Sequence, residues 1–389
     1  MSEQNKKPLL KGIRVVDMAR FIAGPVCAMM MADLGAEVIK VEKKGYGDDG
    51  RHVGPFKNGK TMYFTTFNRN KKSVEINFRD PVEIGWLEEL LKHSDVVIEN
   101  FRPGTMEKMG LTDERLQEIN PRLIVAHISG FGQDGPYKNR AAFDWIIQAM
   151  GGIMSLTGTE ETGPMVAGLP ICDHLAAVNT AFGVTSALYS REQTGKGQVI
   201  DVALLNCVVS ALQTYIPDYS ANGKVAKLTG IKDPLVAPTK RFKTKDGYLY
   251  IHAGFDQNYA VLAEHIGDPV LLEEKYKLGA NRLAEREIVE GHVEAWTMTK
   301  GSDEALDELQ GVGVPCGVVA DIERICNDAQ VLHRRAVVSV ETEGIGDVLY
   351  PGPPVKFSGQ DPIPTQRAPR LGEHNEEVLH GLCGIELPE

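Results

Sequence analysis

A doubly wound α/β fold around a parallel sheet is the class that this sequence predicts, and three observations predict it. Short apolar runs of strand length alternate with longer amphipathic stretches from Gly12 to Gly130. The amphipathic stretches carry helix start and stop signals. The segments that follow successive strands, ENFRPG and GFGQDGPY, hold the Gly and Pro expected of loops at the carboxyl edge of such a sheet.

The elements follow in order. GIRVVDM reads as a buried strand, GPVCAMMMADLG as a helix closed by Gly35, and AEVIKVE as a second strand, which completes a βαβ unit. KSVEIN (Lys72 to Asn77) reads as a strand, DPVEIGWLEELLKHS as an amphipathic helix, and DVVIEN (Asp95 to Asn100) as the next strand. TDERLQEIN is a capped helix and PRLIVAHISG a further strand. A long helix is then expected from near Asp173 to the stop at Gly195 and Gly197, followed by a strand and helix in GQVIDVALLNCVVSALQ. From about Asn222 to Lys240 the text loosens into Lys, Gly and Pro. KTKDGYLYIHAG then reads as a hairpin opening a smaller α+β domain. GVPCGVVADIERICND gives a strand and helix, and the Pro-rich tail from Pro351 to Arg370 is expected to wrap over the rest. The expected domains are residues 1–224 for the first part of the large one, 225–320 for the small one, and 321–389 for a return to the large one.

At 389 residues, with 42% hydrophobic and 24% charged residues, the composition is that of a globular protein and excludes disorder, collagen and coiled coil. Lys and Arg number 42 against 53 Asp and Glu, a net charge of -11, so no nucleic-acid partner is expected and an anion site must be a local basic patch. The six cysteines show no CxxC pair and no His at ligand spacing, which predicts reduced thiols and no metal. A polar start, MSEQNKKPLLKG, and no apolar run near about 20 residues predict a cytoplasmic protein with no membrane partner.

Glu42 at the end of the second strand invites a dinucleotide reading, but ARFIAGP replaces the G-x-G-x-x-G turn and the pyrophosphate would lack its close backbone approach. P-loop, zincin and hydrolase-elbow motifs are absent as well. What recurs is a basic residue near successive strand ends: Arg20, Lys43 and Lys44, Lys71 and Lys72, Arg102, Lys108 and Arg140. Singly each reads as a solvated charge; together they point to a phosphorylated, nucleotide-like ligand. Asp173, at the start of the long helix, reads from its position alone as an N-cap.

The motifs GIRVVDMARFIAGPVCAMMMADLGAEVIKVE, FNRNKKSVEIN, VVIENFRPGTMEKMGL, NPRLIVAHISGFGQDGPY, CDHLAAVNTAFGVTSALYSREQTGKGQVIDVALL, GVPCG and LGEH run through almost the whole chain. In that order they resemble the class III CoA-transferases, which include formyl-CoA and carnitine CoA-transferases, and their relatives the α-methylacyl-CoA racemases. The resemblance implies a Rossmann-like large domain made from both chain ends, with the Gly313 to Val319 strand rejoining it, a small inserted domain, and an interlocked, ring-shaped homodimer. It implies CoA and acyl-CoA as substrates, small carboxylic acids as partners, and no tightly bound cofactor.

The resemblance makes Asp173 the nucleophile that attacks the acyl-CoA thioester, gives an acyl-aspartyl anhydride, and then becomes an aspartyl-CoA thioester. A helix N-terminus is expected to keep that carboxylate ionised. By motif position the CoA contacts implied are Arg20, Phe21, Ile22, Lys43, Lys44, Lys71, Lys72, Asn100, Phe101, Lys108, Arg140 and Asp144. The racemases use a histidine where this chain has Phe143, and phenylalanine cannot take a proton. Transfer is therefore expected over the alternative of an acyl-CoA racemase or epimerase, with His174 an ordinary first-turn residue. The glycine-rich loop of formyl-CoA transferases is missing around His252 to Gln257, which points away from oxalate and formate, while the layout, especially FKTKDGYLYIHAG, resembles members acting on succinyl-CoA and other dicarboxylates and implies succinyl-CoA or another dicarboxylyl-CoA as donor.

Overall fold

A computed structural model describes residues 7–387; the polar leader Met1 to Lys6 lies outside the described residues. The chain divides into two compact units, one made of the described residues of Met1–Ile153, Val166–Asn222 and Ala329–Glu389, the other of Met154–Met165 and Gly223–Asp328.

The first unit is built on a six-stranded sheet. Its strands are β1 (Arg14–Asp17), β2 (Glu37–Lys43), β3 (Lys71–Ile76), β4 (Val96–Glu99), β5 (Ile124–Ser129) and β6 (Val199–Ala203). They lie in the order β3-β2-β1-β4-β5-β6, every neighbouring pair parallel. This is the doubly wound order, whose direction reverses between β1 and β4.

Adjacent residues of one strand feed opposite cores. Val15, Val38, Val96 and Ile98 pack with α1 (Ala23–Asp33), which contributes Cys27 and Met31. Val16, Ile39, Val74 and Val97 pack with α2 (Pro81–Lys92) and α3 (Asp113–Ile119) through Leu87, Leu90 and Leu116. The helix starts follow local chemistry, since Asp80 accepts from Val82 N–H and Thr112 from Arg115 N–H. Three further helices complete the unit's site: α4 (Asp144–Met150), α5 (Ile171–Thr194) and α6 (Leu204–Ala211). Helix α5 stops at Gly195, which takes the left-handed conformation that a side chain would strain.

Beyond the Pro-rich segment the chain end packs on β3 and α2. His374 N–H donates to Ser73 O at 2.9 Å, Glu75 N–H donates to Asn375 Oδ1 at 2.9 Å, and Val378 and Leu379 close the core against α2. A hairpin of Val337–Thr342 and Gly346–Pro351, burying Val338, Val340 and Tyr350, was not foreseen.

In the second unit β7 (Thr239–Lys243) and β8 (Tyr248–His252) form the expected hairpin, and β9 (Cys316–Val318) joins it. The Gly313 to Val319 strand thus does not rejoin the large sheet. It pairs antiparallel with β8, Leu249 facing Val318 and Ile251 facing Cys316, because this is where its apolar side chains meet the core of Phe242, Leu249 and Ile251. The second unit accordingly runs on to Asp328, past the boundary expected at 320, and takes in Met154–Met165.

All six cysteines are free, no helix among the described residues is long and apolar enough to cross a membrane, and none of them form a metal-ligating cluster.

Candidate active site

The site lies at the switch point between β1 and β4, where two loops diverge and leave a crevice. Asn100, just after β4, holds the Arg20 peptide after β1 from both sides. Its Oδ1 accepts from Arg20 N–H at 2.7 Å and its Nδ2 donates to Arg20 O at 2.7 Å. Phe21 follows at φ 63°, a left-handed conformation costly for a bulky residue, and its N–H donates to Asp48 Oδ1 at 3.3 Å. Asp48 is steadied by the buried Lys40 ammonium at 2.8 Å. The Arg20 guanidinium pairs with Asp49 at 2.8 Å and lies 5.4 Å from the centre of the Phe101 ring. The Phe101 N–H donates to Glu99 Oε2 at 2.6 Å.

Two adjoining cavities open at this crevice, and Arg20, Asp49 and Phe101 line both. The smaller, about 330 Å³, holds Asp173 together with Phe21, Ile22, Asn100, Arg140 and Phe143. The larger, about 770 Å³, is walled by Lys43, Lys44, Phe78, Arg79 and Lys108. A protein of net charge -11 thus gathers cations around both cavities, Lys43, Lys44, Arg79 and Lys108 at the larger and Arg102, Lys138 and Arg140 at the smaller, where Asp173 stands among them.

Asp173 is not an N-cap. Helix α5 begins at Ile171 after Pro170, so Asp173 stands in its first turn and its side chain caps nothing. Its own N–H donates to Asp144 Oδ2 at 2.9 Å. Gln148, fully buried on α4, donates to Asp144 Oδ1 at 2.6 Å and to Leu169 O at 3.2 Å, and accepts from Ala167 N–H at 2.9 Å. One side chain thereby ties α4 to the strand of chain that delivers Asp173.

Burial, reinforced by the Asp144 charge, pushes the Asp173 carboxyl up to about 7. The expectation of a firmly ionised group is corrected: near neutrality the first-turn dipole is outweighed by lost hydration and a like charge. Burial also lowers the His174 imidazole below its usual range, and its ring packs 6.4 Å from Phe67, as befits a packed first-turn residue. Phe143 is 65% exposed and meets Phe21 edge-on at 5.9 Å.

Of the implied contacts, Arg20, Phe21, Ile22, Lys43, Lys44, Asn100, Phe101, Lys108 and Arg140 line one or both cavities. Three do not. Lys71 is wholly buried, donating to Asp17 Oδ2 at 2.7 Å, Pro25 O at 2.8 Å and Asn68 Oδ1 at 2.9 Å, so no ligand phosphate can reach it. Lys72 bridges Glu37 at 2.5 Å and Glu377 at 2.6 Å. Both start β3, the amino end of a parallel strand, whereas the crevice lies at the carboxyl ends. Asp144 is buried and turned to the Asp173 backbone, which makes it a support of the carboxylate and not a ligand contact.

Among the residues missed are Lys138, which lines the cavity that holds Asp173, and Arg79, just past the carboxyl end of β3, which lines the larger cavity. Strand direction was the signal that could have found Arg79.

The family model described as CoA-transferase family III matches residues 10–375. The chain is 35% identical over 99% of its length to the succinyl-CoA–D-citramalate CoA-transferase of Chloroflexus aurantiacus, covering 96% of that protein. It is 38% identical over 96% of its length to the succinyl-CoA:glutarate CoA-transferase of Mus musculus, covering 86% of it. Among solved structures, a CAIB/BAIF family protein from Brucella suis superposes with a TM-score of 0.87 at 36% identity, over 96% of this chain and 99% of that one. The fold, the switch-point cavities and these near full-length matches agree: the chain belongs to CoA-transferase family III and is a class III CoA-transferase.

Proposed function

We propose that the enzyme moves CoA from an acyl-CoA thioester to a free carboxylic acid, with Asp173 as the nucleophile. The observation that carries this reading is the placement of Asp173 in a cavity that shares the Arg20, Asp49 and Phe101 wall with a larger cavity lined by Lys43, Lys44, Arg79 and Lys108. The phosphates of CoA suit the cationic cavity, and the thioester then reaches the carboxylate.

An Asp173 oxygen attacks the thioester carbonyl, the C–S bond breaks, and CoA leaves as thiolate while an acyl-aspartyl anhydride forms. The thiolate attacks the aspartyl carbonyl, which releases the donor acid and leaves an aspartyl-CoA thioester. The acceptor carboxylate attacks that thioester, expels the thiolate and forms a second anhydride. Thiolate attack on the acceptor's carbonyl yields the new acyl-CoA and restores Asp173. The attacking species is the carboxylate, so the raised Asp173 pKa makes the first step easier as pH rises through about 7.

Succinyl-CoA or another dicarboxylyl-CoA is the proposed donor, in keeping with relatives named for succinyl-CoA. A relative from Acetobacter aceti is named for acetyl-CoA and oxalate, so short dicarboxylates as a class suit this reading better than the exclusion of oxalate. Racemisation gains no support, since Phe143 offers no base and His174 packs against Phe67. A homodimer is part of the reading; Val178, Phe182 and Tyr189, all exposed along α5, are the kind of apolar residues a second copy would cover.

The test is an incubation in heavy water of a panel of acyl-CoA donors with free acids, all thioesters being read by mass spectrometry. New acyl-CoA species that appear only with a free acid are expected. Deuterium uptake at the α-carbon without exchange of acids would replace transfer with racemisation.

A further inference from the structure

A third cavity, about 210 Å³, opens beside the one that holds Asp173, and Arg102, Pro103 and Lys138 line both. Its acids are mostly engaged. Glu99 lies 2.5 Å from His127 Nδ1 and accepts from Phe101 N–H, and Asp113 lies 2.9 Å from His127 Nε2. With a carboxylate on each side, the His127 imidazolium is held up to about 9 and stays charged at neutrality.

The remaining polar groups have no such match. Arg102 and Lys138 have no ion-pair partner among the described residues, and Glu107 is the single acid of the lining left against them. Gln133 also lines the cavity. Its N–H is used by Asp201 at 2.9 Å, but its Nε2 is buried with no hydrogen-bond partner among the described residues. A buried donor left unmatched is unfavourable, and unmatched buried donors mark places where an acceptor binds. Counted whole, the lining sets three acids, Glu99, Glu107 and Asp113, against three cations, Arg102, Lys138 and the His127 imidazolium, so its formal charge balances; what suits one carboxylate is that the Arg102 fork, the Lys138 ammonium and the Gln133 amide are the donors left unmatched.

We propose that this cavity is a carboxylate subsite, in which Gln133, Arg102 and Lys138 hold the far carboxylate of a dicarboxylyl substrate while its near end reacts at Asp173. The proposal rests on the CoA-transfer reading of the Asp173 cavity and adds to it the residues that select the acid. A monocarboxylic acid of equal length places a methyl group against an unmatched amide and two cations, and is disfavoured.

The experiment holds acetyl-CoA as donor and compares succinate with butyrate as acceptor in wild type, Arg102→Gln, Lys138→Gln and Gln133→Leu. The expected result is a KM for succinate raised about tenfold in the variants, with the KM values for butyrate and acetyl-CoA unchanged in Gln133→Leu, whose side chain lines the third cavity and not the one that holds Asp173. Equal rises for both acids or a raised KM for acetyl-CoA in Gln133→Leu, or no change in any variant, would overturn the subsite. Absence of transfer in wild type to every acid from acetyl-CoA and from succinyl-CoA alike would defeat the Asp173 reading instead. Calorimetric titration of succinate and butyrate into wild type and Gln133→Leu then judges the subsite alone: tighter succinate binding that the variant loses supports it, and equal binding of the two acids overturns it.

Discussion

Strand β3 carries cations at both ends, and the two ends have opposite fates. At its amino end Lys71 is sealed among three acceptors and Lys72 bridges two glutamates. Just past its carboxyl end Arg79 has no ion-pair partner among the described residues and faces the cavity that Lys43, Lys44 and Lys108 also line. In a parallel sheet every strand delivers its following loop to the same edge, so a charge reaches the ligand crevice according to which end it occupies, whether unpaired like Arg79 or ion-paired like Arg20 with Asp49 and Lys44 with Glu83. A basic residue in a motif therefore says little until the direction of its strand is known.

At the carboxyl edge the effect should fall on turnover and ligand binding. Asp173→Ala is expected to lower turnover about a thousandfold or more while CoA binding, followed by calorimetry, is kept. Retention of a tenth of the wild-type rate would remove Asp173 as nucleophile. At the amino end the effect should fall on stability alone. Lys71→Met leaves the buried Asp17 short of its nearest counter-ion and is expected to cost about 3 to 5 kcal/mol in urea unfolding, with the acyl-CoA KM of the folded fraction unchanged. Burial, its largest influence, already lowers the Lys71 ammonium to about 8, so its charge persists only because Asp17 answers it.

Arg79→Ala combined with Lys108→Ala should reverse that pattern, raising the acyl-CoA KM severalfold with the melting temperature unmoved. Equal effects of the Lys71 and Arg79 variants on KM would erase the distinction between the two ends. A finer test uses pH. The kcat/KM profile should rise through about 7 as Asp173 loses its proton, and Asp144→Asn, which removes the like charge, should move that rise to lower pH. An unmoved midpoint would leave burial as the whole cause.

The smallest expected effect concerns the ion cluster at the ends of β4 and β5. His127 has a folded pKa of about 9, above its usual 6.5, so its pairing with Glu99 and Asp113 stabilises fully below about 6.5 and is lost as pH rises through about 9. Unfolding free energy measured between pH 6 and 9.5 should fall across that window in wild type and lack this component in His127→Leu. A slope that survives in the variant would assign it to another group.

Much of this molecule was legible in one dimension. The strand runs, the Asp80 and Thr112 caps, the Gly195 stop and the Asp173 motif are written in residues a few positions apart, and the forces that select them act over the same span. The family motifs likewise marked Arg20, Asn100 and Phe101 as neighbours of one ligand, and the crevice between β1 and β4 brings them together.

Tertiary structure decided the rest. The Gly313 to Val319 segment has an apolar pattern that fits either sheet, and only the core formed by Phe242, Leu249 and Ile251 selects its partner. Whether a lysine is sealed or free depends on acids far along the chain, as Lys71 depends on Asp17 and Lys72 on Glu377. The ionisation of Asp173 follows the same rule: the helix start that suggested a stable carboxylate is local, while the burial and the Asp144 charge that raise its pKa arise only when α4 and α5 meet. Propensity and capping act between near neighbours in sequence, whereas desolvation and charge pairing act between neighbours in space, and the chain must fold before those exist.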